Sequence, residues 1–321
     1  MVFIGFHASH EQVPPRELLE AVVAAEAAGF DGAMCSDHLA PWSVAQGESG
    51  YAWSWLGAAL ASTSFSLGVV SAPGQRYHPV IAAQAIATLE QMFPGRFWAA
   101  LGSGEAMNEH VTGDEWPPKP ERNARLQATV DTIRALLDGE EVSRDDEITV
   151  HRARVWSRPD APPPLLGAAV TAETAGWLAS WADGLATVNQ SPEALARVVG
   201  AYRDAGGAGP CVLQVHVSLE DTEAEALAVV RDQWRQSVIQ GVSMWDIEQP
   251  EDFDALACDP ADADLHRGVL VSTDAGELAD RIAALVRIGF DRVYLHGISA
   301  DQPAFIARAE RELLPALRSA L

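Results

Sequence analysis

Short β-rich runs alternate with helical patterns along almost the whole chain of 321 residues. Apolar residues at a spacing of two mark the runs, and apolar residues at helical spacing follow them. The predicted strands are residues 2–6, 31–36, 65–70, 97–101, 165–168, 184–188, 212–217 and 292–296. Each crossover helix must cover a face of a parallel sheet, and about eight such units can close that sheet on itself. The pattern therefore predicts a single-domain (β/α)8 barrel, or TIM barrel, over residues 1–321.

Two irregular segments interrupt the alternation. Residues 138–164 are charged and then proline-rich and follow the fourth-strand helix, whereas residues 240–267 precede the eighth strand. We interpret both as insertions on the rim of the barrel. An open, doubly wound sheet is the alternative fold. No GxGxxG motif opens a helix after the first strand, which disfavours an open dinucleotide-binding sheet.

Composition excludes several classes of protein. The formal net charge of −23 would repel a nucleic acid, so we expect no such partner. No apolar run of about 18 residues predicts a membrane span, and the N-terminus lacks the features of a signal peptide, so we expect a cytoplasmic protein. The three cysteines form no CxxC pair and are expected to be reduced thiols. No HExxH motif or Asp/His cluster suggests a catalytic metal.

Ionisable residues follow the predicted strand ends, which in a barrel line the mouth where the chemistry occurs. Asp37 and His38 follow the second strand, and Trp42 follows four residues later. Histidine titrates near neutral pH, and a neighbouring carboxylate can fix its tautomer, so we predict that Asp37 orients His38 for proton transfer. Trp42 is predicted to wall the site. A loop-capping histidine and a core tryptophan are the alternatives.

Two further loops have the composition of a cofactor site. Gly102 opens a turn of small residues that lets a flat ring approach the backbone, and Glu105 and Asn108 follow it. Glu105 is a candidate second acid or base, and Asn108 a candidate hydrogen-bonding partner for a heterocycle; a capping pair is the alternative. Residues 167–171 are small and feed a helix with Thr171 as its N-cap, which suits a phosphate, although taken alone the pattern favours capping without a ligand.

The segments SDHLAPW, APGQRYHP, LGSGEAMNEH and GAAVTAETA together resemble the luciferase-like flavin oxidoreductases. The branch concerned contains the deazaflavin-dependent glucose-6-phosphate dehydrogenases and their FMN-assigned relatives. The resemblance implies that His38 takes a hydroxyl proton with help from Glu105, that Trp42 lies beside the reacting carbon, and that the chain forms a homodimer. It also implies a non-proline cis peptide at the end of the third strand. The cofactor contacts expected are Asp37, Val69, Val70, Ser71, Gly102, Asn108, Ala169, Val170, Thr171 and Thr174.

Some details depart from the sugar-phosphate enzymes of this branch, which use lysines near the substrate phosphate. Lys119 is the only lysine, although Arg267 could replace one cation, so glucose 6-phosphate is disfavoured as the substrate. Coenzyme F420 carries a polyanionic tail that suits an acidic protein poorly. We therefore expect FMN as the cofactor, with F420 as the alternative.

The expected function is transfer of a hydride to or from a small organic substrate by an FMN-dependent oxidoreductase. An F420-dependent dehydrogenase and a flavin monooxygenase remain alternatives within the same family. Outside it, a barrel glycosidase would use two carboxylates such as Glu105 and Glu109, and a flavin-binding protein would lack catalysis. The aromatic-rich residues 51–60, YAWSWLGAAL, offer apolar area that would support the expected homodimer.

Overall fold

The computed structural model describes residues 2–321, in which eight parallel strands close into a barrel. The strands are β1 Phe3–Ala8, β2 Gly32–Ser36, β3 Leu67–Ser71, β4 Phe97–Leu101, β5 Val142–Asp145, β6 Thr149–Ala153, β7 Leu165–Ala168, β8 Leu185–Val188, β9 Cys211–Leu219, β10 Leu270–Ser272 and β11 Arg292–Gly297. Around the barrel the order is β1, β2, β3, β4, β7, β8, β9 and β11, which pairs back to β1. The predicted TIM barrel is confirmed, and each of the eight predicted strands has its counterpart.

Helices connect the strands, and most of them cover the outside of the barrel. They are α1 Pro15–Ala27, α2 Ala52–Ser62, α3 Pro79–Met92, α4 Ala106–Glu109, α5 Lys119–Asp138, α6 Ala172–Leu178, α7 Pro192–Asp204, α8 Glu223–Gln233, α9 Pro250–Leu256, α10 Asp262–Gly268, α11 Ala275–Val286, α12 Gln302–Arg308 and α13 Leu314–Ala320. Several begin with a side chain that satisfies a free backbone N–H, as Ser191 does for Ala194 and Thr222 for Glu225. These caps explain why the helices begin where they do.

Large apolar side chains fill the interior of the barrel. Met34, Trp98, Leu166 and Tyr294 form one buried cluster there. Tyr294 occupies the space that a Cβ at Gly5 would need, because the two residues are register partners on neighbouring strands. Polar residues begin one layer nearer the C-terminal ends of the strands. The apolar cluster therefore separates the two ends of the barrel.

Both predicted insertions are present, and both contain regular structure. The first holds the antiparallel hairpin of β5 and β6. The second, residues 239–268, contains α9 and α10 and is called the cap below. Asp246 of the cap accepts hydrogen bonds from Trp116 Nε1 at 2.8 Å and Arg122 Nη1 at 3.1 Å. Asp254 accepts one from the backbone N–H of Val44 at 3.0 Å, so the cap is attached to the loops of the barrel mouth.

Two expectations from the sequence are wrong. Trp53 and Trp55 of α2 are only 8% and 5% exposed, because they pack into the core of their own subunit. The apolar area of this helix therefore gives no support for a dimer. The expected cis peptide at the end of β3 is also missing, since every peptide bond in the described residues is trans.

Among residues 2–321, no helix combines the length and the apolar composition that crossing a membrane would require.

Candidate active site

Three loops at the C-terminal mouth bring one histidine between two carboxylates. His38 follows β2, Glu11 follows β1, and Glu105 precedes α4. His38 Nδ1 lies 2.5 Å from Glu11 Oε1, and His38 Nε2 lies 3.5 Å from Glu105 Oε2. The ring thus has a carboxylate at each nitrogen. Such an arrangement can hold a proton on the imidazole and exchange it at the mouth.

Glu11 is the more deeply buried of the two carboxylates, with 1% of its surface exposed. Ser9 Oγ donates a hydrogen bond of 2.6 Å to its second oxygen. Burial alone would raise the pKa of Glu11, but the adjacent His38 and the serine hydroxyls around it hold that pKa well below its usual range. Glu11 is therefore a fixed negative charge beside the histidine.

The pKa of His38 follows from these neighbours. Burial disfavours the imidazolium, yet the charges of Glu11 and Glu105 outweigh it and raise the pKa of His38 to about 9. Burial also raises the pKa of Glu105, against the opposing charge of His38. At neutral pH, His38 consequently carries a proton that Glu11 stabilises.

Asp37 has a different role from the one predicted. Its carboxylate accepts hydrogen bonds from Ser71 Oγ at 2.6 Å, Tyr77 OH at 2.9 Å and Trp53 Nε1 at 3.1 Å. These donors occupy Asp37, which fastens the loop after β2 to the end of β3. The prediction that Asp37 orients His38 is wrong, because the carboxylates beside the two ring nitrogens of His38 are those of Glu11 and Glu105.

Arg76 links Asp37 to a second buried carboxylate. Its Nη2 donates to the backbone carbonyl of Asp37 at 2.7 Å, and its backbone N–H donates to Glu109 Oε2 at 2.5 Å. Burial raises the pKa of Glu109 to about 7, although Arg76 opposes the shift. Glu109 thus supports the loop after β3. Because Glu109 is bonded to Arg76, it is not free to act with Glu105 as the pair of catalytic carboxylates that a glycosidase requires.

Asn108 connects two of the loops. Its Oδ1 accepts a hydrogen bond from the backbone N–H of Leu39 at 2.7 Å, and its Nδ2 donates to Glu105 Oε2 at 3.1 Å. It therefore positions Glu105 and the loop that carries His38. The contact of Asn108 with a heterocycle stays a prediction.

An aromatic wall closes one side of the site. The ring of Trp42 stands edge-on to His38, with centroids 5.1 Å apart, and edge-on to Phe253 of the cap at 5.4 Å. Gln46 Oε1 accepts from the backbone N–H of Trp42 at 2.8 Å. Trp42 is thus held at the junction between the histidine and the cap, as a wall for a small substrate would require.

The expected cofactor residues divide into two groups. Val70 lies on the inside of the barrel with Ala168, and Gly102 has no side chain to block the space beside them. Val69 instead faces outward into the helix-facing core and is fully buried, so only its backbone could contact a cofactor. The others lie at or near the mouth: Ser71 bonded to Asp37, Ala169 and Val170 before α6, and Thr171 capping that helix through the backbone N–H of Thr174.

Glu11 is the functional candidate that sequence reasoning missed. It lies three residues beyond β1, between His10 and Gln12. His38 and Glu105 also lie shortly after strand ends, and that placement made them candidates. His7, His216 and His296 were also left without a common role. Strand register places them on three neighbouring strands, and the ring centroids of His7 and His296 lie 4.6 Å apart.

Comparison with known proteins identifies the family. The profile of the luciferase-like monooxygenase family matches residues 1–292, and the chain belongs to that family. An F420-dependent glucose-6-phosphate dehydrogenase from Beutenbergia cavernae is 36% identical over 332 residues, covering 99% of this chain and 98% of the relative. An F420-dependent enzyme of the same description from Mycobacterium tuberculosis is 30% identical, with 98% of each chain covered.

Solved structures agree with this assignment. An F420-dependent secondary alcohol dehydrogenase, in complex with an F420–acetone adduct, superposes with a TM-score of 0.90 at 30% identity and covers 99% of each chain. The F420-dependent tetrahydromethanopterin reductase from Methanopyrus kandleri shares the fold, with a TM-score of 0.78 at 18% identity over 98% of this chain and 99% of the reductase. The predicted family and the prediction of an oxidoreductase are confirmed.

Proposed function

We propose that this protein is an F420-dependent oxidoreductase that interconverts a small alcohol and the corresponding carbonyl compound. The observation that carries the proposal is the position of His38 between Glu11, at 2.5 Å, and Glu105, at 3.5 Å, at the barrel mouth. The relatives at 30–36% identity described above are F420-dependent by name. These relatives favour F420 as the cofactor, whereas the sequence led us to expect FMN.

The mouth offers space that fits a flat, tricyclic ring. A Cβ built on Gly102 would meet only Ala168 Cβ, at 3.7 Å, so a ring can approach the backbone there. Val70 and Ala168 provide an apolar surface beside that opening. Asn108 and the backbone of residues 69–71 and 168–171 would hold the edge of the ring and its side chain. When bound, the deazaflavin supplies the carbon that accepts or gives the hydride.

His38 is the residue that moves the proton. In alcohol oxidation, His38 Nε2 takes the proton of the substrate hydroxyl, and in carbonyl reduction the same nitrogen returns it. Glu11 stabilises the imidazolium at Nδ1, and Glu105 lies beside Nε2 to receive or replenish the proton. Trp42 and the cap exclude water from this side of the site, which strengthens the charge interactions within it.

The substrate is proposed to lack a phosphate. Three arginines in or next to the cap are paired with carboxylates: Arg122 with Asp246 at 3.1 Å, Arg235 with Asp254 at 2.7 Å, and Arg267 with Asp264 at 2.6 Å. Arg125, near the mouth, is bonded to the amide oxygen of Gln75 at 2.7 Å. Arg267, which could have replaced a lysine, is thus already engaged. A phosphate dianion would have to compete with these carboxylates for the paired guanidinium groups, whereas a neutral alcohol would not.

The test compares two substrates and two cofactors. Purified protein is mixed with F420 and either 2-propanol or glucose 6-phosphate, and loss of the visible absorbance of the oxidised deazaflavin is followed. We expect reduction with the neutral alcohol and none with the sugar phosphate. Reduction by glucose 6-phosphate alone would overturn the substrate proposal. Reduction of FMN under the same conditions, with F420 inert, would overturn the cofactor proposal.

A further inference from the structure

A second cavity opens at the end of the barrel opposite His38, with a volume of about 580 Å³. The residues that line it lie where strands begin. Phe97 is the first residue of β4, Arg292 the first of β11, and Leu166 the second of β7. Pro163 and its two proline neighbours cover one side. We call this the lower cavity; no step of the proposed mechanism uses it.

The lower cavity is separate from the active site. Trp98 and Leu166 form its inner wall, and both belong to the buried cluster that fills the barrel. Trp98 and Leu166 are each 3% exposed, and Tyr294 behind them is fully buried. A ligand in the lower cavity therefore cannot reach His38 without unpacking the core, and the two sites can be occupied independently.

Arg292 places an uncompensated positive charge on this cavity. Its guanidinium lies 5.3 Å from the centre of the Phe3 ring and forms no ion pair within residues 2–321. The neighbouring Asp291 is already engaged, because its carboxylate accepts from the backbone N–H of Cys211 at 2.8 Å and lies 3.6 Å from Arg203. Arg292 also hydrogen-bonds the neutral hydroxyl of Tyr294, which leaves the guanidinium without a counterion, and a partly buried cation of this kind favours an anionic ligand.

A second arginine lies on the rim of the same cavity. Arg134 Nη2 donates to Asp183 Oδ2 at 3.0 Å and to the carbonyl of Trp181 at 2.9 Å. Asp183 also accepts from the backbone N–H of Leu165 at 2.9 Å, so one carboxylate serves two donors. The ionisable lining of the cavity is two arginines and one aspartate, a net positive charge in a chain whose formal net charge is −23.

We propose that the lower cavity is a binding site for a small aromatic carboxylate. The ligand's carboxylate would pair with Arg292, with Arg134 nearby. Its flat ring would lie between the prolines and the apolar wall of Phe97 and Leu166. Charge and shape together select an aromatic acid over a neutral aromatic compound.

Isothermal titration calorimetry with benzoate, and with benzyl alcohol as the neutral analogue, tests the site on the full-length protein. We expect saturable benzoate binding and at least about tenfold weaker binding of benzyl alcohol, because the charge-assisted contact is lost. Arg292→Gln should weaken benzoate binding by about tenfold or more, and Arg134→Gln by less. Arg311→Gln, which changes an exposed arginine paired with Glu312, is the matched control and should have no effect.

F420 is titrated in the presence of benzoate to separate the two sites. Benzoate binding that is unchanged by saturating F420 supports the lower cavity, whereas displacement by F420 would assign the ligand to the catalytic mouth. Equal affinity for benzoate and benzyl alcohol would overturn the charge argument. No saturable benzoate binding, or binding that survives both arginine substitutions in folded protein, would overturn the proposal. Thermal unfolding of each variant establishes that it is folded.

Discussion

His38 Nδ1 and Glu11 Oε1 lie 2.5 Å apart, across the gap between the loops that follow β1 and β2. This pair fixes the tautomer of the imidazole and leaves Nε2 as the nitrogen that faces Glu105. It also sets the acidity of the histidine, since Glu11 is the principal neighbour that raises the pKa of His38 to about 9. The pair therefore determines the pH at which the protein can accept a substrate proton.

Glu11→Gln should shift the pH dependence of alcohol oxidation toward lower pH. Oxidation needs neutral His38, so the wild-type rate should rise as the pH approaches about 9. Without the negative charge of Glu11 the imidazolium of His38 is less stable, so its pKa falls and the oxidation rate begins to rise at a lower pH. The measurement is kcat/KM for alcohol against pH, with Glu20→Gln on the exposed face of α1 as the control. A dependence of kcat/KM on pH that stays as in wild type would contradict the role assigned to Glu11.

His38→Ala should lower turnover while F420 still binds. Loss of a general acid or base typically costs about 10²–10⁴-fold in rate. The cofactor contacts proposed above lie on other residues, so the dissociation constant for F420 should change little. Stopped-flow reduction of F420 measures the first quantity and a binding titration the second. His151→Ala, on the exposed strand β6, provides the control. A turnover equal to that of wild type would make His38 a structural residue.

Asp254→Ala should loosen the cap and raise KM more than it lowers kcat. Asp254 is bonded to Arg235 at 2.7 Å and to the backbone N–H of Val44 at 3.0 Å, and it follows Phe253, which packs on Trp42. Loss of a charged hydrogen bond at a partly buried site costs about 1.5–3 kcal/mol, so a roughly tenfold rise in KM is expected. Asp252→Ala, on the same helix but exposed, should leave KM unchanged. Equal effects of both substitutions would show that the cap contributes only stability.

The protein should be most stable near pH 6.5. Burial lowers the pKa of His7 to about 3 and those of His10 and His216 to about 4. Below about pH 6.5 these residues bind protons only when unfolded, so each removes about 1.4 kcal/mol of stability per pH unit. Glu109 and His38 act in the opposite sense. The pKa of Glu109, raised to about 7, contributes stability that is lost as the pH rises through about 7 and offsets one histidine on the acid side, and the raised pKa of His38 contributes stability that is lost as the pH rises through about 9.

Urea unfolding between pH 5 and pH 9 measures this dependence. His10→Phe should make the free energy of unfolding depend less on pH below about pH 6.5. His10 lies edge-on to Trp55, and both of its ring nitrogens lack partners in the described structure. His151→Phe, at an exposed position, should leave the slope as in wild type. A free energy of unfolding that stays constant from pH 6.5 to pH 5 would contradict the burial of these histidines.

A homodimer remains the expected state, on the family resemblance alone. The aromatic residues of α2 do not form a dimer surface, because Trp53 and Trp55 are buried within the subunit. Light scattering of the purified protein at micromolar concentration should give about twice the chain mass of 34.3 kDa. A monomer mass that holds over a hundredfold range of concentration would refute the dimer.

The barrel could be predicted from the sequence, whereas part of the site could not. Periodicity reports which face of a strand or helix is buried, so the eight strands were recoverable. Adjacency in sequence was misleading at Asp37 and His38, since Asp37 is bonded to Ser71, Tyr77 and Trp53, whereas Glu11 pairs with His38. Glu11 meets His38 only through the pairing of β1 with β2, which no local pattern encodes. The two helices of the cap have seven residues each, too few for a periodic pattern, and contacts with the barrel hold them: Asp254 of α9 bonds Arg235, and Asp262 of α10 pairs with Arg231.

The cap also bears on how this protein could change its substrate. Its residues form one continuous stretch, 239–268, whereas the proton-handling residues come from loops near the beginning of the chain. Trp42 is the point at which the two meet. Replacement of this stretch could therefore reshape the substrate wall and leave the acid–base chemistry intact. Within one barrel, substrate range and proton transfer would then evolve separately.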